Sequence, residues 1–472
     1  MFVLIALLVM LIGALAGWYV VLRMQGKTIN FQDAARGFGL GAPSANQNGS
    51  TYENLGIGGG GGGGFNVGGG GGIGAGGSGD GSSGGGNGTG AGAGSSGNGD
   101  GSFTSANGLS GEIGTSTSGA YNSTSTLGTV IVPKTPRLWR VTKTPVAGFE
   151  FATSTSVLYF SERATGYIFR TDVLSGEILR RTNTLVPKTY EALLSRNGGA
   201  IYRSINDTTG AVQTFTGVIG SSTTANLGTL LGINLKNNIF ALDANPDSKT
   251  IFYLLADGGQ TIGVTMPWTE GKTGKEKQVF SSSIASWRPY ALADGRLLVM
   301  EKPQDGAVGY AYEILADGSL KPLVRAAPGL TFLPIANSST FIFGTSENGS
   351  LALYAKTSTT TYALPVKTVA DKCVWAPFTP ASGKKPASDL VVYCAVPSDV
   401  SSKNFLQNWY MGALHTSDSW WRLNLTTRRA EKIFSEGSAN IDVVDPTIDS
   451  TGGVLAFKNG YDGALWVLRI VK

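Results

Sequence analysis

The feature that most constrains this chain is a recurrence. Seven short apolar runs, most of them bearing aromatic rings, succeed one another after Pro133: Leu158–Phe160, Ile201–Tyr202, Ile251–Tyr253, Leu297–Val299, Phe341–Phe343, Val391–Tyr393 and Val454–Phe457. Five of the six steps between their centres span 43 to 50 residues, and the last spans 63. A step of about 45 residues is the length of one four-stranded blade of a β-propeller. Polar turns separate the runs from further strand-like text, and no helical periodicity interrupts them. Asp257-Gly258, Asp305-Gly306, Asn348-Gly349 and Asp462-Gly463 supply the positive-φ positions that tight hairpins require. The expected fold is therefore all-β, a seven-bladed β-propeller over residues 134–472.

The two ends of this region complement each other. The last blade reads one strand short, while Pro136–Val146 stands alone before the first full blade, and its Arg-Val-Thr-Lys-Thr aligns with the fourth-strand text Arg180–Thr184. Pairing it into the last blade would remove an open sheet edge. A solenoid or a pair of β-sandwiches is the alternative, and neither needs this complementarity.

Ahead of the repeat lie two tracts of different character. Residues 2–22 run without a charge, long enough for a helix to cross hydrocarbon, with Trp18 and Tyr19 near the end where aromatic rings prefer the interface. A cleaved signal peptide is the rival, since Ala14-Leu15-Ala16 has the form of a cleavage site. No Lys or Arg precedes the run, however, which favours an uncleaved anchor over residues 1–24. Arg23, Lys27 and Arg36 come after it, and the positive-inside rule would keep that side in the cytoplasm. The placement expected here, a single-pass protein with its propeller outside the membrane, runs against that rule. It rests on the extracytoplasmic character of the chain beyond residue 24.

Residues 25–133 form the second tract. From Gly37 to Pro133 there is no Lys or Arg, and residues 51–130 hold 33 of the 69 glycines. Such text cannot bury enough apolar surface to offset its ordering entropy, so a disordered linker is expected. As a flexible coil of about 95 residues it would span on the order of 55 Å. Its glycine strings match dinucleotide fingerprints by chance, with neither strand before nor helix after.

Chemistry is sparse. The chain has two cysteines, Cys373 and Cys394, and one histidine, His415, too few for a closed zinc site, and any Ser-His-Asp site must use His415. Gly271-Lys272-Thr273 ends like a phosphate-binding loop, but the first glycine of that motif would fall on Met266. Asp172–Glu177 gives a single quinoprotein-like repeat, the aspartate box of sialidases is missing, and no residues remain for a hydrolase domain. The net charge of +5 is scattered, which argues against nucleic acid. No catalytic residue, metal or cofactor is expected, and the chain is expected to be a monomer.

Three expectations concern particular residues. Cys373 and Cys394 flank a hairpin loop of one blade and are expected to form a disulfide, rather than two separate buried thiols, which would suit an oxidising compartment. The long last step reflects an insertion, Asn404–Asp418, that places Phe405, Trp409, Tyr410 and Met411 in a loop. Those rings either cap their own blade over Trp375 or Trp420, or form a partner-binding loop, since such side chains concentrate at interaction hot spots. Two function classes stay open: a module binding an unknown protein, peptide or glycan, and a propeller enzyme acting on surface glycans. Convergence of Asp, Glu, Arg and Tyr at one funnel mouth would favour the enzyme, and an exposed apolar loop face would favour binding.

The text Asp243–Tyr253 and the ending Thr451–Leu468 resemble the repeats of WD40-like propellers of the TolB type, over about residues 136–472. Lys372–Trp375, Tyr393–Pro397 and Trp409–Gly412 resemble a blade of anchored surface propellers from small-genome candidate-phyla bacteria. These resemblances imply fold and location, not an activity. The Gly-His and Trp-Asp pairs of true WD40 repeats are missing, which speaks against a eukaryote-style hub.

Overall fold

Every one of the seven apolar runs is the second strand of an antiparallel sheet. The computed structural model describes residues 104–105, 134–153, 156–196, 198–220, 227–244, 250–269, 272–383, 385–400, 402–435 and 440–470. The apolar run 2–22, and all of 25–133 except Thr104–Ser105, lie outside these described residues. No helix among the described residues is long and apolar enough to cross a membrane.

The blades run in chain order, each named here by its innermost and second strands. They are blade 1 (Val146–Phe151, Val157–Glu162), blade 2 (Thr189–Leu194, Gly199–Ile205), blade 3 (Ile239–Asp243, Thr250–Asp257) and blade 4 (Trp287–Ala291, Leu297–Glu301). Blade 5 (Thr331–Pro334, Phe341–Glu347), blade 6 (Cys373–Trp375, Val391–Pro397) and blade 7 (Val443–Ile448, Val454–Asn459) complete the set. Innermost strands are buried at nearly every position, whereas the outermost strand of blade 1, Ile178–Arg180, is exposed throughout. This gradient is what radial packing around one axis demands of alternating β text.

Each pair of neighbouring blades shares its own apolar cluster. Val146, Phe151 and Leu158 of blade 1 pack with Val454, Ala456 and Val467 of blade 7, so the seventh interface closes the ring like the other six. Approach near the axis is tight: a Cβ on Gly148 of blade 1 would overlap the carbonyl of Ala192 in blade 2. The Asn348-Gly349 hairpin has both central residues at positive φ, the geometry that a two-residue turn between right-twisted strands needs.

The fourth strand of blade 7 comes from the other end of the chain. Leu138–Arg140 pairs antiparallel with Leu465–Arg469, Leu138 opposite Leu468 and Trp139 opposite Val467. Arg137 donates from its guanidinium to Arg469 and Ile433 carbonyls, at 3.2 and 2.8 Å, fastening the strand's start. On blade 6, Thr104–Ser105 runs parallel to Arg429–Ala430 of the outermost strand, Arg429–Phe434. Lys272–Thr273, the tail of the phosphate-loop-like text, pairs with Trp268–Thr269 in a hairpin.

Candidate functional site

The insertion of blade 6 leaves between its second strand and its third, Asp418–Asn424, and its core is one short helix, α1 (Phe405–Tyr410). Phe405, Leu406, Trp409 and Tyr410 fall on one side of such a helix, because positions four apart share a face. All four are buried, against Leu351 of blade 5, Val369 ahead of blade 6 and Val444 of blade 7. The Phe405 and Trp409 rings stack with centroids 6.4 Å apart. The amide of Gln407 also donates to Asp305 in the loop of blade 4, at 2.9 Å.

This geometry corrects the expectation of a partner-binding loop on Phe405, Trp409, Tyr410 and Met411. The three aromatic side chains are 0, 2 and 8 % exposed and cannot meet a partner, and of the set only Met411 reaches the surface. The alternative, a cap over the insertion's own blade, is also too narrow. The helix packs across blades 5 and 7, and neither Trp375 nor Trp420 belongs to its cluster.

Beneath α1 lies a polar network that the sequence did not reveal. The buried ammonium of Lys372 donates to Asp418 and Asp442 at 2.7 Å, to Thr416 Oγ1 at 2.9 Å and to the Val443 carbonyl at 3.0 Å. Trp409 covers it, the ring centroid 4.6 Å from Nζ. Burial alone would depress the lysine, but the two carboxylates outweigh that and raise it, so the ammonium stays charged. Burial would likewise raise Asp442, yet Lys372 and hydrogen bonds from His415, Lys372 and Trp409 hold it well below the ordinary carboxylate range. Asp418, where burial prevails over Lys372, is raised.

His415, the chain's lone histidine, sits at the edge of this network. Its Nδ1 lies 3.0 Å from Asp442 Oδ2, and its ring stacks on Tyr461 at 4.5 Å.

Charged groups also converge on the axis. Arg288 of blade 4 pairs with Asp371, whose second oxygen accepts the Tyr410 hydroxyl at 2.8 Å, tying α1 to the innermost strand of blade 4. Arg203 bridges Glu191 at 2.8 Å and the Ile239 carbonyl at 2.6 Å, joining blades 2 and 3. Asp243 accepts the Ala291 amide at 2.6 Å, and burial pushes its carboxyl up to about 8. The Asp, Glu, Arg and Tyr set that would mark an enzyme's funnel is thus present in type. Its members are buried, Glu191 with Arg203 and Asp371 with Arg288 as ion pairs, and Asp243 with the Ala291 amide.

Cys373 and Cys394 stand directly opposite on the first two strands of blade 6 and are disulfide-bonded, with Cα atoms 4.0 Å apart. Of the exposed large apolar side chains, Ile178, Leu179 and Leu231 lie on the outer strands of blades 1 and 2 with Leu185 and Leu227 in adjoining loops, while Ile284, Leu315, Met411 and Tyr461 stand on loops and turns elsewhere. Of the site residues, sequence reading missed Lys372, Asp371, Arg288, Asp418 and Asp442. The one signal was local, Asp371-Lys372 beside an apolar strand, because long-range partners leave no mark on spacing.

No protein-family model matches this sequence, and neither does any curated protein. Among solved structures the chain is similar to the β-propeller domain of Cps50 (Swd1) from Myceliophteria thermophila, at 9% identity and TM-score 0.44, covering 71% of this chain and 100% of that one. Virginiamycin B lyase from Staphylococcus aureus shows 12% identity and TM-score 0.39 over 71% and 98% of the two chains. A putative TolB from Agrobacterium tumefaciens shows 11% identity and TM-score 0.33 over 48% and 86%. Likeness at this level carries no activity across. The seven sheets, and the seven cores between them, make this chain a seven-bladed β-propeller.

Proposed function

We propose that this chain is a membrane-tethered, extracytoplasmic propeller that binds a protein, peptide or glycan, acts as a monomer and performs no chemistry of its own. The observation that carries this reading is the state of the axis. Glu191, Asp243, Arg203, Arg288 and Asp371 are all at most 2 % exposed, so no acid or base among them is presented to a substrate. A general acid or base must come within hydrogen-bond reach of the group it serves. These side chains instead hold blades to one another.

The disulfide of blade 6 supports an oxidising compartment, since such bonds persist outside the reducing cytosol. The charge-free run 2–22 supports a single span, and the N-terminal strand in blade 7 supports attachment of the propeller at that end. Capture of surface components by the full-length chain, compared between native membranes and membranes stripped of polysaccharide, tests the binding role. Release of cleaved glycan by the purified chain would replace this reading with the enzymatic one.

A further inference from the structure

Two cavities open along the side of the propeller between blades 4 and 5. One, of about 600 Å³, lies between the outermost strand of blade 4, Leu320–Pro328, and the second and third strands of blade 5, Phe341–Glu347 and Ser350–Lys356. The other, of about 380 Å³, extends toward the loops holding Asp294 and Asn337. Leu323 lines both, so together they form one elongated groove.

Aromatic rings form its wall. Phe343 and Tyr354 are cross-strand partners stacked with centroids 5.2 Å apart, while Phe341, 6.3 Å from Phe343 and tilted to it, is buried in the core between blades 4 and 5. Phe343 and Tyr354 are half-buried, with ring surface left over after packing. Polar groups line the groove beside this pair. Lys356, which donates one hydrogen bond to the Leu323 carbonyl at 3.1 Å, lines the larger cavity with Arg325, Thr345, Glu347 and Thr361. In the smaller one, Arg296 with Asp294 and Lys321 with Glu313 form ion pairs. Cations and carboxylates nearly balance along the groove.

From this geometry we infer that the groove between blades 4 and 5 binds a neutral hexose polymer. A pyranose chain offers flat apolar faces to the pair of Phe343 and Tyr354 and hydroxyls to charged and hydroxyl side chains beside it, which is the division of labour found here. An extended peptide would add to the sheet edge instead, and this edge resists it. Pro322 and Pro328 provide no N–H, Ala326 has positive φ, and the pairing with the third strand shifts register twice. A polyanion finds an excess of only one positive charge, four cations against three carboxylates. The inference rests on the binding role proposed above and specifies its ligand.

The test is calorimetric titration of the full-length chain, kept in a detergent without a sugar headgroup, against cellohexaose, maltohexaose and chitohexaose, with polygalacturonate and a proline-rich decapeptide alongside. At least one neutral hexasaccharide is expected to bind saturably. Tyr354→Ala should weaken that binding about tenfold, as losing one aromatic contact predicts, and Tyr354→Trp should retain it. Both variants must melt near wild type, which thermal unfolding checks. Binding that survives Tyr354→Ala, saturable binding of polygalacturonate or peptide alone, or no binding of any hexasaccharide would overturn the groove assignment. The wider reading fails separately, when the wild-type chain captures nothing from native membranes.

Discussion

Trp409 donates its indole hydrogen to Oδ1 of Asp442 at 2.9 Å, and the same oxygen receives the Lys372 ammonium at 2.7 Å. An aromatic side chain from an insertion of blade 6 is thereby bonded to the first strand region of blade 7. Trp409→Ala should cost about 3–5 kcal/mol, because it removes a buried ring and leaves part of a buried ion network open. Capture of surface partners by the folded variant should be unchanged. Equilibrium denaturation and a pull-down on the same preparation check this, and lost capture with unchanged stability would restore the binding-loop reading.

Lys372→Met leaves Asp418 and Asp442 facing each other without their cation. Breaking a buried pair this way costs about 3–5 kcal/mol, whereas removing all the charges together is far less harmful. Adding Asp418→Asn and Asp442→Asn to Lys372→Met should therefore recover most of the lost stability. Urea midpoints of the single and triple variants decide the matter.

Asp243 has its folded pKa raised from 3.8 to about 8 by burial, so folding prefers its protonated form. The stability it contributes is complete below the unfolded pKa and is lost as pH rises toward the folded one. Wild type should accordingly lose stability between about pH 4 and pH 8, and Asp243→Asn, which keeps an acceptor for the Ala291 amide, should flatten that slope. Melting temperatures measured across this range give the comparison, and equal slopes in the two proteins would refute it.

The disulfide closes a loop between residues separated by 21 positions. In the chain-entropy account, a loop of that size is worth about 3 kcal/mol. Replacing both Cys373 and Cys394 by Ala should lower unfolding stability by about that amount, and the native wild-type protein should resist alkylation until reduced. Rapid labelling of both thiols without reductant would contradict the bond.

Proteolysis between residues 40 and 130 should release a domain beginning near Pro133 that melts like the full chain. A fragment beginning at Thr144 lacks Leu138–Arg140 and exposes the edge of Leu465–Arg469. It should melt lower and self-associate, since an unpaired edge templates pairing with another chain. Equal melting of the two fragments would show that this strand does not hold the last blade.

What the sequence determined by itself is the part of this protein written in short range. Strand alternation, turn dipeptides and a blade-length period act over tens of residues, so the seven second strands and the hairpins at Asn348-Gly349 and Asp462-Gly463 were legible in the amino-acid order alone. The opposition of Cys373 and Cys394 belongs to the same class, because one hairpin sets its register. The tertiary structure alone decided which way the insertion faces. Phe405, Trp409 and Tyr410 are the same residue types whether they anchor a partner or fill a core, and the choice fell to Leu351, Val369 and Val444, which come from elsewhere in the chain. It also decided the partners of the buried charges: Arg288 and Asp371 are 83 residues apart, and Lys372 and Asp442 are 70. Such pairs form because closing a ring of seven sheets brings every innermost strand to one axis, where a charge must find its opposite or remain in water.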